Sequence, residues 1–242
     1  MTEVDIFIPC FIDQLFPETG FNMVKVLEKA GCKVHYNPNQ TCCGQPAFNA
    51  GHWKEMEDVG KKFIADFAST DRYVVGPSGS CVGFVRNFYG ELYENTPVHN
   101  YYKNLRRNLF EFSEFLVDVL KVDDFGGNLN AKVTYHDACG ALRECKIKEA
   151  PRKLITNIQG VELMEMNNSE VCCGFGGTFA VKFEAISSGM ADSKVNDAIA
   201  SGADYIVSTD YSCLMHLDAY AKKQNKKIKV MHVADLLAAS IA

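Results

Sequence analysis

The sequence predicts an α/β fold of two pseudo-symmetric repeats, each with a mostly parallel sheet flanked by helices. Short runs of β-branched and aromatic residues alternate with segments of helical periodicity, the pattern of parallel strands joined by crossover helices. The same order of elements occurs twice within 242 residues when Val4 is aligned with Val133. A polar, glycine-containing stretch over residues 123–128 separates the copies. We therefore expect one domain over residues 1–125 and a second over residues 126–242.

The first repeat begins with a buried strand over residues 4–8, where β-branched and aromatic residues predominate. A helix should follow over residues 20–30, because Phe21, Val24 and Leu27 recur at helical spacing and Gly31 ends the pattern. The later elements predicted in this repeat are a strand over 33–36, a helix over 52–68, a strand over 73–75 and a helix over 109–120.

The second repeat shows the same succession with weaker strand signals. Its predicted elements are a strand over 132–136, a helix over 150–159, a strand over 161–166, a helix over 183–200, a strand over 205–207 and a helix over 233–240. A Cys-Cys-Gly triplet follows the second predicted strand in both repeats. The repeat therefore covers nearly the whole chain.

Eight of the ten cysteines belong to this repeat, at nearly equal intervals in the two copies. They are Cys10, Cys42, Cys43 and Cys81 in the first copy and Cys139, Cys172, Cys173 and Cys213 in the second. Each follows a predicted strand, and the carboxyl ends of parallel strands meet at one edge of a sheet. We expect one four-thiol site at that edge in each domain. Cys32 and Cys145 have no counterpart and are expected to be small buried residues.

Three kinds of chemistry compete for these thiols. Four cysteines are the usual ligand set of an iron–sulfur cluster. Structural zinc also takes four thiolates, but its paired ligands are normally separated by two to four residues, unlike adjacent cysteines. Thiol exchange favours a Cys-x-x-Cys spacing, which none of the ten cysteines forms. The pattern favours an iron–sulfur cluster in each half, and hence an electron carrier, with zinc as the alternative.

Composition excludes several classes of function. A net charge of -5 and a pI near 5.7 give no electrostatic case for nucleic-acid binding. The amino terminus lacks a basic segment, and Asp5 and Asp13 interrupt the apolar stretch, so no signal peptide is expected. No apolar run is long enough for a transmembrane segment. Ten cysteines without an export signal indicate reduced thiols in a cytoplasmic protein.

The spacing of the cysteines resembles the duplicated CCG cysteine-rich domain. That domain occurs in the B chain of heterodisulfide reductase, in the iron–sulfur subunits of glycolate and glycerol-3-phosphate oxidation, and in lactate-utilisation protein A. The second half is most similar to the lactate-utilisation type. The stretches that carry this likeness are His-Asp-Ala-Cys at 136–139, Cys-Cys-Gly-Phe-Gly-Gly-Thr-Phe at 172–179 and Ser-Thr-Asp-Tyr-Ser-Cys-Leu-Met-His at 208–216.

The resemblance implies an iron–sulfur electron-transfer subunit of an oxidoreductase complex that oxidises L-lactate to pyruvate. It implies one or two 4Fe-4S clusters held by the eight repeated cysteines. It also implies two partners, a ferredoxin-like iron–sulfur subunit and a third lactate-utilisation subunit, with which this chain would share catalysis. Two alternatives stay open: a zinc-stabilised assembly protein without a redox role, and a thiol/disulfide reductase of the heterodisulfide reductase B type.

One departure from the family pattern bears on the cluster type. Members with non-cubane clusters carry a fifth cysteine near the end of each repeat, where this chain has Ser78 and Asp210. Four thiols per half suffice for a cubane cluster, and we expect Asp210 to be a turn residue. His136 and His216 flank the outer cysteines of the second half. They fit polar positions at element ends, or hydrogen-bond donors to a ligand sulfur.

Overall fold

Two four-stranded parallel sheets form the framework of the protein, whose computed structural model describes residues 1–67 and 71–242. The strands of the first sheet are β1 (Thr2–Ile6), β2 (Cys32–Tyr36), β3 (Tyr73–Gly76) and β4 (Leu109–Glu111), in the order β2-β1-β3-β4. Those of the second are β5 (Asn128–Tyr135), β6 (Gln159–Leu163), β7 (Tyr205–Ser208) and β8 (Lys229–His232), in the order β6-β5-β7-β8. The two orders are equivalent, so the sheets repeat one topology.

Helices cover both sheets, and their order is similar in the two halves, except that α6 of the first half has no counterpart in the second. The first half contains α1 (Cys10–Leu15), α2 (Pro17–Lys29), α3 (Gln45–Ala50), α4 (Trp53–Phe67), α5 (Gly79–Leu92), α6 (His99–Asn108) and α7 (Phe112–Glu114), which continues as a π-helix over Phe115–Val119. The second half contains a π-helix over Gly140–Glu144, then α8 (Glu149–Thr156), α9 (Thr178–Lys182), α10 (Glu184–Ala200), α11 (Tyr211–Lys223) and α12 (Val233–Ser240).

Burial of apolar side chains holds α4 against the first sheet. Val4 and Ile6 of β1 are buried, and the following residue, Phe7, packs its ring against Phe63 and Phe67 of α4 at centroid separations of 4.8 and 6.0 Å. These contacts are edge-on, a preferred geometry for aromatic pairs. The apolar face of α4 is thereby fixed over the sheet, close to the carboxyl end of β1.

The predicted α/β fold of two repeats with parallel sheets is confirmed, and three strands in each half lie within a few residues of their predicted positions. The helix predicted over 109–120 is wrong at its start, because residues 109–111 form β4 and the helix begins at Phe112. The fourth strand of the second half, β8, was likewise not predicted. Residue 68, the last of the helix predicted over 52–68, lies outside the described residues.

The two halves pack closely through glycines beside the cysteine loops. A Cβ atom at Gly79, the first residue of α5, would lie 2.5 Å from Cβ of Ala141 in the other half. A Cβ atom at Gly140 would lie 2.4 Å from Cα of Ser80. Neither position has room for a side chain, so the backbones of the two halves are in direct contact.

A second contact between the halves joins α2 and α12. Asp235 accepts hydrogen bonds from the Thr19 hydroxyl and the Asn22 amide, both at 2.9 Å. The Lys25 ammonium donates to the carbonyl of Ala238 at 3.1 Å.

Among the helices that the structure describes, none combines the length and the apolar character needed to cross a membrane.

Candidate functional site

All eight repeated cysteines line one cavity of about 550 Å³ between the two halves. Topology explains their places: Cys10 begins α1 after β1, the Cys42–Cys43 pair follows β2, and Cys81 lies in the first turn of α5 after β3. The second half repeats this arrangement. We expected one four-thiol site in each domain. The close contact of the halves places both groups of thiols around the same cavity, which the sequence did not predict.

The cysteines of the first half form a connected group of sulfur atoms. The Sγ atoms of Cys10 and Cys42 lie 3.7 Å apart, and the backbone N–H of Gly44 donates to Cys42 Sγ at 3.4 Å. Hydrogen bonds from Cys10, Cys43 and the backbone hold the pKa of Cys42 well below its ordinary value. The pKa values of Cys10 and Cys43 are raised, because both thiols donate hydrogen bonds to Cys42. Burial, partial for Cys10 and complete for Cys43, raises them further.

The second half repeats this electrostatic pattern. The N–H of Gly174 donates to Cys172 Sγ at 3.4 Å, and bonds from Cys139 and Cys173 lower the pKa of Cys172. The pKa values of Cys139 and Cys173 are raised by their contacts with Cys172 and by burial. Contact with Cys173 lowers the pKa of Cys213 to about 7, and the proximity of His136 contributes. Each half thus favours at least one thiolate, the form that binds metals.

The glycine of each Cys-Cys-Gly triplet has a structural requirement of its own. Gly44 and Gly174 have φ angles of 82° and 93°, in the left-handed region that glycine adopts without steric cost. A Cβ atom at Gly174 would also lie 2.7 Å from the carbonyl oxygen of Ser187. The turn directs each glycine N–H at the sulfur of the first cysteine in its triplet. In both halves the triplet therefore stabilises negative charge on one of its own sulfurs.

Ser78 and Asp210, in the places of the fifth cysteine, contact one another across the two halves. The Asp210 carboxylate accepts from the hydroxyls of Ser78 and Ser80, each at 2.7 Å, and from the Ser80 N–H at 3.1 Å. All three residues line the cavity, and Asp210 is 1% exposed. Burial raises the pKa of Asp210, although these donors oppose the shift. We expected Asp210 to be a turn residue, whereas it is the N-cap residue of α11. Its contact with Ser78 was not expected, because nothing in the sequence pairs the halves.

The two histidines beside the second group of cysteines differ in their surroundings. His216 Nε2 lies 3.2 Å from the Ser187 hydroxyl, so this ring nitrogen has a hydrogen-bond partner. His136 is fully buried, and neither ring nitrogen has a hydrogen-bond partner within the described part of the chain. A ligand nitrogen of His136 and the sulfurs of Cys173 and Cys213 all lie within 4.8 Å of one another.

Cys32 and Cys145, expected to be buried residues outside the repeat, do not line the cavity. Cys32 lies on β2 in the core. The thiol of Cys145 donates to the carbonyl of Gly79 at 3.4 Å, which adds a polar contact between the halves. The candidate functional site is therefore the cavity, which contains the eight repeated thiols, the glycine N–H groups and the buried carboxyl group of Asp210.

The donors of the cavity are of the kind that soft metals and iron–sulfur clusters select. Each half offers four sulfurs, with one backbone N–H directed at a sulfur. Thiolate sulfur is the ligand of iron–sulfur clusters, and hydrogen bonds to the sulfurs set their reduction potentials. These residues fit such a group in both halves.

Comparison with known proteins agrees with this architecture. Residues 4–86 and 133–218 both match the family model of the cysteine-rich domain called CCG. The chain belongs to the CCG cysteine-rich domain family. The two CCG matches contain the two groups of cysteines described above, one group in each match.

Curated relatives cover the CCG protein almost from end to end. A protein of Exiguobacterium sp. named "Lactate utilization protein A" is 42% identical over 98% of this chain and 97% of its own length. A protein of the same name from Geobacillus kaustophilus is 40% identical over 97% of this chain and 98% of its own length. The likeness to both relatives therefore extends over the two halves of the chain.

A solved structure shares the fold at much lower sequence similarity. The structure of a hypothetical protein from Helicobacter pylori covers 100% of this chain and 49% of its own chain, with a TM-score of 0.61 and 11% identity. At that identity the likeness concerns the fold alone.

Proposed function

We propose that this CCG protein is an electron-transfer subunit of a lactate-oxidising complex, with one or two 4Fe-4S clusters held by its eight repeated cysteines. The observation that carries the proposal is the convergence of both four-thiol groups on one cavity. The name of the curated relatives, lactate utilization protein A, points to lactate as the substrate, and we propose that the reaction is oxidation of L-lactate to pyruvate.

The proposed ligands are Cys10, Cys42, Cys43 and Cys81 in the first half and Cys139, Cys172, Cys173 and Cys213 in the second. When bound, such clusters take up and release single electrons. The protein contributes thiolates stabilised by neighbouring thiols, and the Gly44 and Gly174 N–H groups, which favour negative charge on sulfur. Burial of Cys43 and Cys173 limits contact of the sulfurs with water.

The proposal includes partners, because the sequence contains no flavin or nicotinamide fingerprint that would accept a hydride from lactate. A ferredoxin-like iron–sulfur subunit and a third lactate-utilisation subunit would complete the complex. We place this assembly in the cytoplasm. All ten cysteines, which lie within the described residues, are unpaired thiols, as a reducing compartment requires.

Iron and acid-labile sulfide in protein prepared without oxygen provide the first test. Cys43→Ser and Cys173→Ser should each remove the iron of one half and its share of the broad visible absorption. Cys32→Ala is the matched control, since Cys32 is also buried but lies outside the cavity, and its iron content should equal that of the wild type.

Two results would contradict the proposal. One is unchanged iron content in the double variant Cys43→Ser/Cys173→Ser. The other is colourless protein that holds stoichiometric zinc after anaerobic preparation, which would support a zinc-stabilised assembly protein instead. Addition of L-lactate to the reconstituted complex, followed by visible spectroscopy of the CCG protein, then tests the assigned reaction.

A further inference from the structure

His136 and Phe7 occupy the same place in the two halves. Each lies three positions before the first cysteine of its repeat and directly after an equivalent strand, β5 or β1. The N–H of Phe7 donates to the carbonyl of Val75 at 2.9 Å, and that of His136 donates to Val207 at 2.8 Å. The backbones are therefore held in the same way, and the difference lies in the side chains.

The residue that faces each of them differs as well. Phe7 lies against Gly76, where a Cβ atom would be 3.0 Å from Cδ1 of the Phe7 ring. In the second half Ser208 takes the place of Gly76, and its hydroxyl donates to the carbonyl of His136 at 2.9 Å. The first half thus has an apolar pair at this place, and the second half has a polar pair that fixes the histidine backbone.

The imidazole of His136 lacks hydrogen-bond partners. The residue is 0% exposed, and neither ring nitrogen has a hydrogen-bond partner in the part of the chain described. Leaving a buried polar group without a partner is energetically unfavourable. A ring that served only for packing would be better replaced by phenylalanine, as at position 7.

Two cysteines bring ligand atoms close to the His136 ring. A ring nitrogen of His136 and the sulfurs of Cys173 and Cys213 lie within 4.8 Å of one another, and all three residues are buried. The two cysteines line the cavity, whereas His136 is not among the lining residues. The ring is therefore buried outside the cavity lining but lies close to two sulfurs that belong to it.

We propose that His136 is a nitrogen ligand, with Cys173 and Cys213, of the metal bound in the second half. The first half offers only sulfur at the corresponding place, since Phe7 has no ligand atom. The inference shares two cysteines with the proposed function, but it does not require that the metal be iron. Imidazole and thiolate together suit zinc and iron alike.

A nitrogen ligand would make the two halves chemically unequal. Imidazole is neutral where thiolate is negative, and histidine ligation raises the reduction potential of an iron–sulfur centre. In the proposed electron carrier the second half would then hold an electron more tightly than the first. The repeated fold would in that way contain two sites of different potential.

The test uses ¹¹³Cd²⁺ as the probe in the whole, reduced, metal-free chain with ¹⁵N-labelled histidine. Cadmium binds thiolate and imidazole, and a direct bond to imidazole gives a one-bond coupling between ¹¹³Cd and ¹⁵N in the NMR spectrum. We expect one cadmium resonance with this coupling. The double variant His136→Phe/Ser208→Gly, which reproduces the pair of the first half, should lose the coupling, and Ser208→Gly alone should keep it.

His136→Ala is measured in parallel, because its smaller side chain avoids any clash that would prevent folding, and it should also lose the coupling. The inference is overturned if no cadmium resonance of the wild type couples to ¹⁵N, if cadmium does not bind, or if the coupling persists without His136. Iron and sulfide content is measured separately. A coupled cadmium site in a chain that takes up no iron would overturn the proposed function alone, and an iron-loaded chain without the coupling would overturn this inference alone.

Discussion

The carboxylate of Asp210 accepts a hydrogen bond from the Ser78 hydroxyl at 2.7 Å, and the two residues hold equivalent positions in opposite halves. Each stands three residues before the last cysteine of its repeat. Ser78 also caps α5 by accepting from the N–H of Cys81 at 3.3 Å. One contact thus links the start of the helix that carries Cys81 to the N-cap residue of α11, the helix that carries Cys213.

Asp210→Ala should destabilise the protein by about 2–3 kcal/mol, because it leaves the donors of Ser78 and Ser80 without their charged acceptor. Urea unfolding of the metal-free protein measures the change. Ser212→Ala is the matched control: Ser212 occupies the place of Ser80 in the second half, and we expect a change within about 0.5 kcal/mol there. Equal stability of Asp210→Ala and wild type would show that the contact does not join the halves.

Gly79→Ala should destabilise the protein strongly, since the added Cβ atom would lie 2.5 Å from Cβ of Ala141. Overpacking of this kind costs about 1–3 kcal/mol even where neighbours adjust, and here both backbones must move apart. Thermal unfolding followed by circular dichroism measures the effect.

Gly189→Ala is the control for that substitution. Gly189 lies in α10, and a Cβ atom there would have no heavy atom within 4 Å among the described residues. Alanine should stabilise the helix by roughly 0.5–1 kcal/mol. If both variants changed the unfolding temperature in the same direction, steric contact at Gly79 would not be the cause.

Glu111 predicts a pH dependence of stability. Its side chain is fully buried at the start of α7, and one carboxylate oxygen has no partner within the described residues. Burial raises the pKa of Glu111 from 4.5 to about 8, although Ser113 and the Glu114 N–H donate to the other oxygen.

Because the folded state favours the protonated form, Glu111 contributes stability that is full below its unfolded pKa and is lost as the pH rises to about 8. Each pKa unit corresponds to about 1.4 kcal/mol, so the loss is on the order of 4 kcal/mol. Urea unfolding at pH 5 and pH 8 should show this decrease, and Glu111→Gln should remove it. A decrease of the same size in the variant would assign the effect to other groups.

Arg152 neutralises a buried carboxylate next to the second group of cysteines. Its Nη1 and Nη2 atoms each donate to Asp137 at 2.8 Å, and the Asp137 side chain is 0% exposed. Burial opposes ionisation, but Arg152 holds the pKa of Asp137 below its ordinary value. Arg152→Ala would leave this charge unpaired and should cost about 3–5 kcal/mol in urea unfolding.

Lys148→Ala provides the comparison for the charge pair. Lys148 and Glu170 form an ion pair in which both side chains are about half exposed. Exposed pairs contribute about 0–1 kcal/mol. A loss at Lys148 as large as that at Arg152 would mean that burial of Asp137 is not what makes its partner important.

Sequence patterns predicted the fold where hydrophobic runs were long enough to show their period. β1 and β3 have buried β-branched residues, and α4 has a clear apolar face. The strands β4 and β8 were missed because they are only 3 and 4 residues long and pass directly into helices. In residues 109–120 the helical period continues back into β4, so the start of the helix was misplaced.

The sequence predicts the cysteines of the site because they repeat at nearly equal intervals along the chain. Their shared cavity was not predicted, since it depends on the packing of Gly79 and Gly140 between the halves, and a glycine in sequence does not reveal its neighbour. The pairing of Ser78 with Asp210 was hidden for the same reason. The difference between Phe7 and His136 was visible in the alignment of the repeats, but only the structure shows that the histidine ring lacks partners.

The contact between α2 and α12 has a consequence for the order of events during synthesis. Thr19 and Asp235 are 216 positions apart, so α2 cannot make this contact until the residues up to Asp235 have left the ribosome. The cavity walls likewise come from residues far apart in sequence, from Pro9 to Cys213. The complete cavity therefore forms only after Cys213 has been synthesised, and a nascent first half exposes its thiols to any oxidant in the meantime.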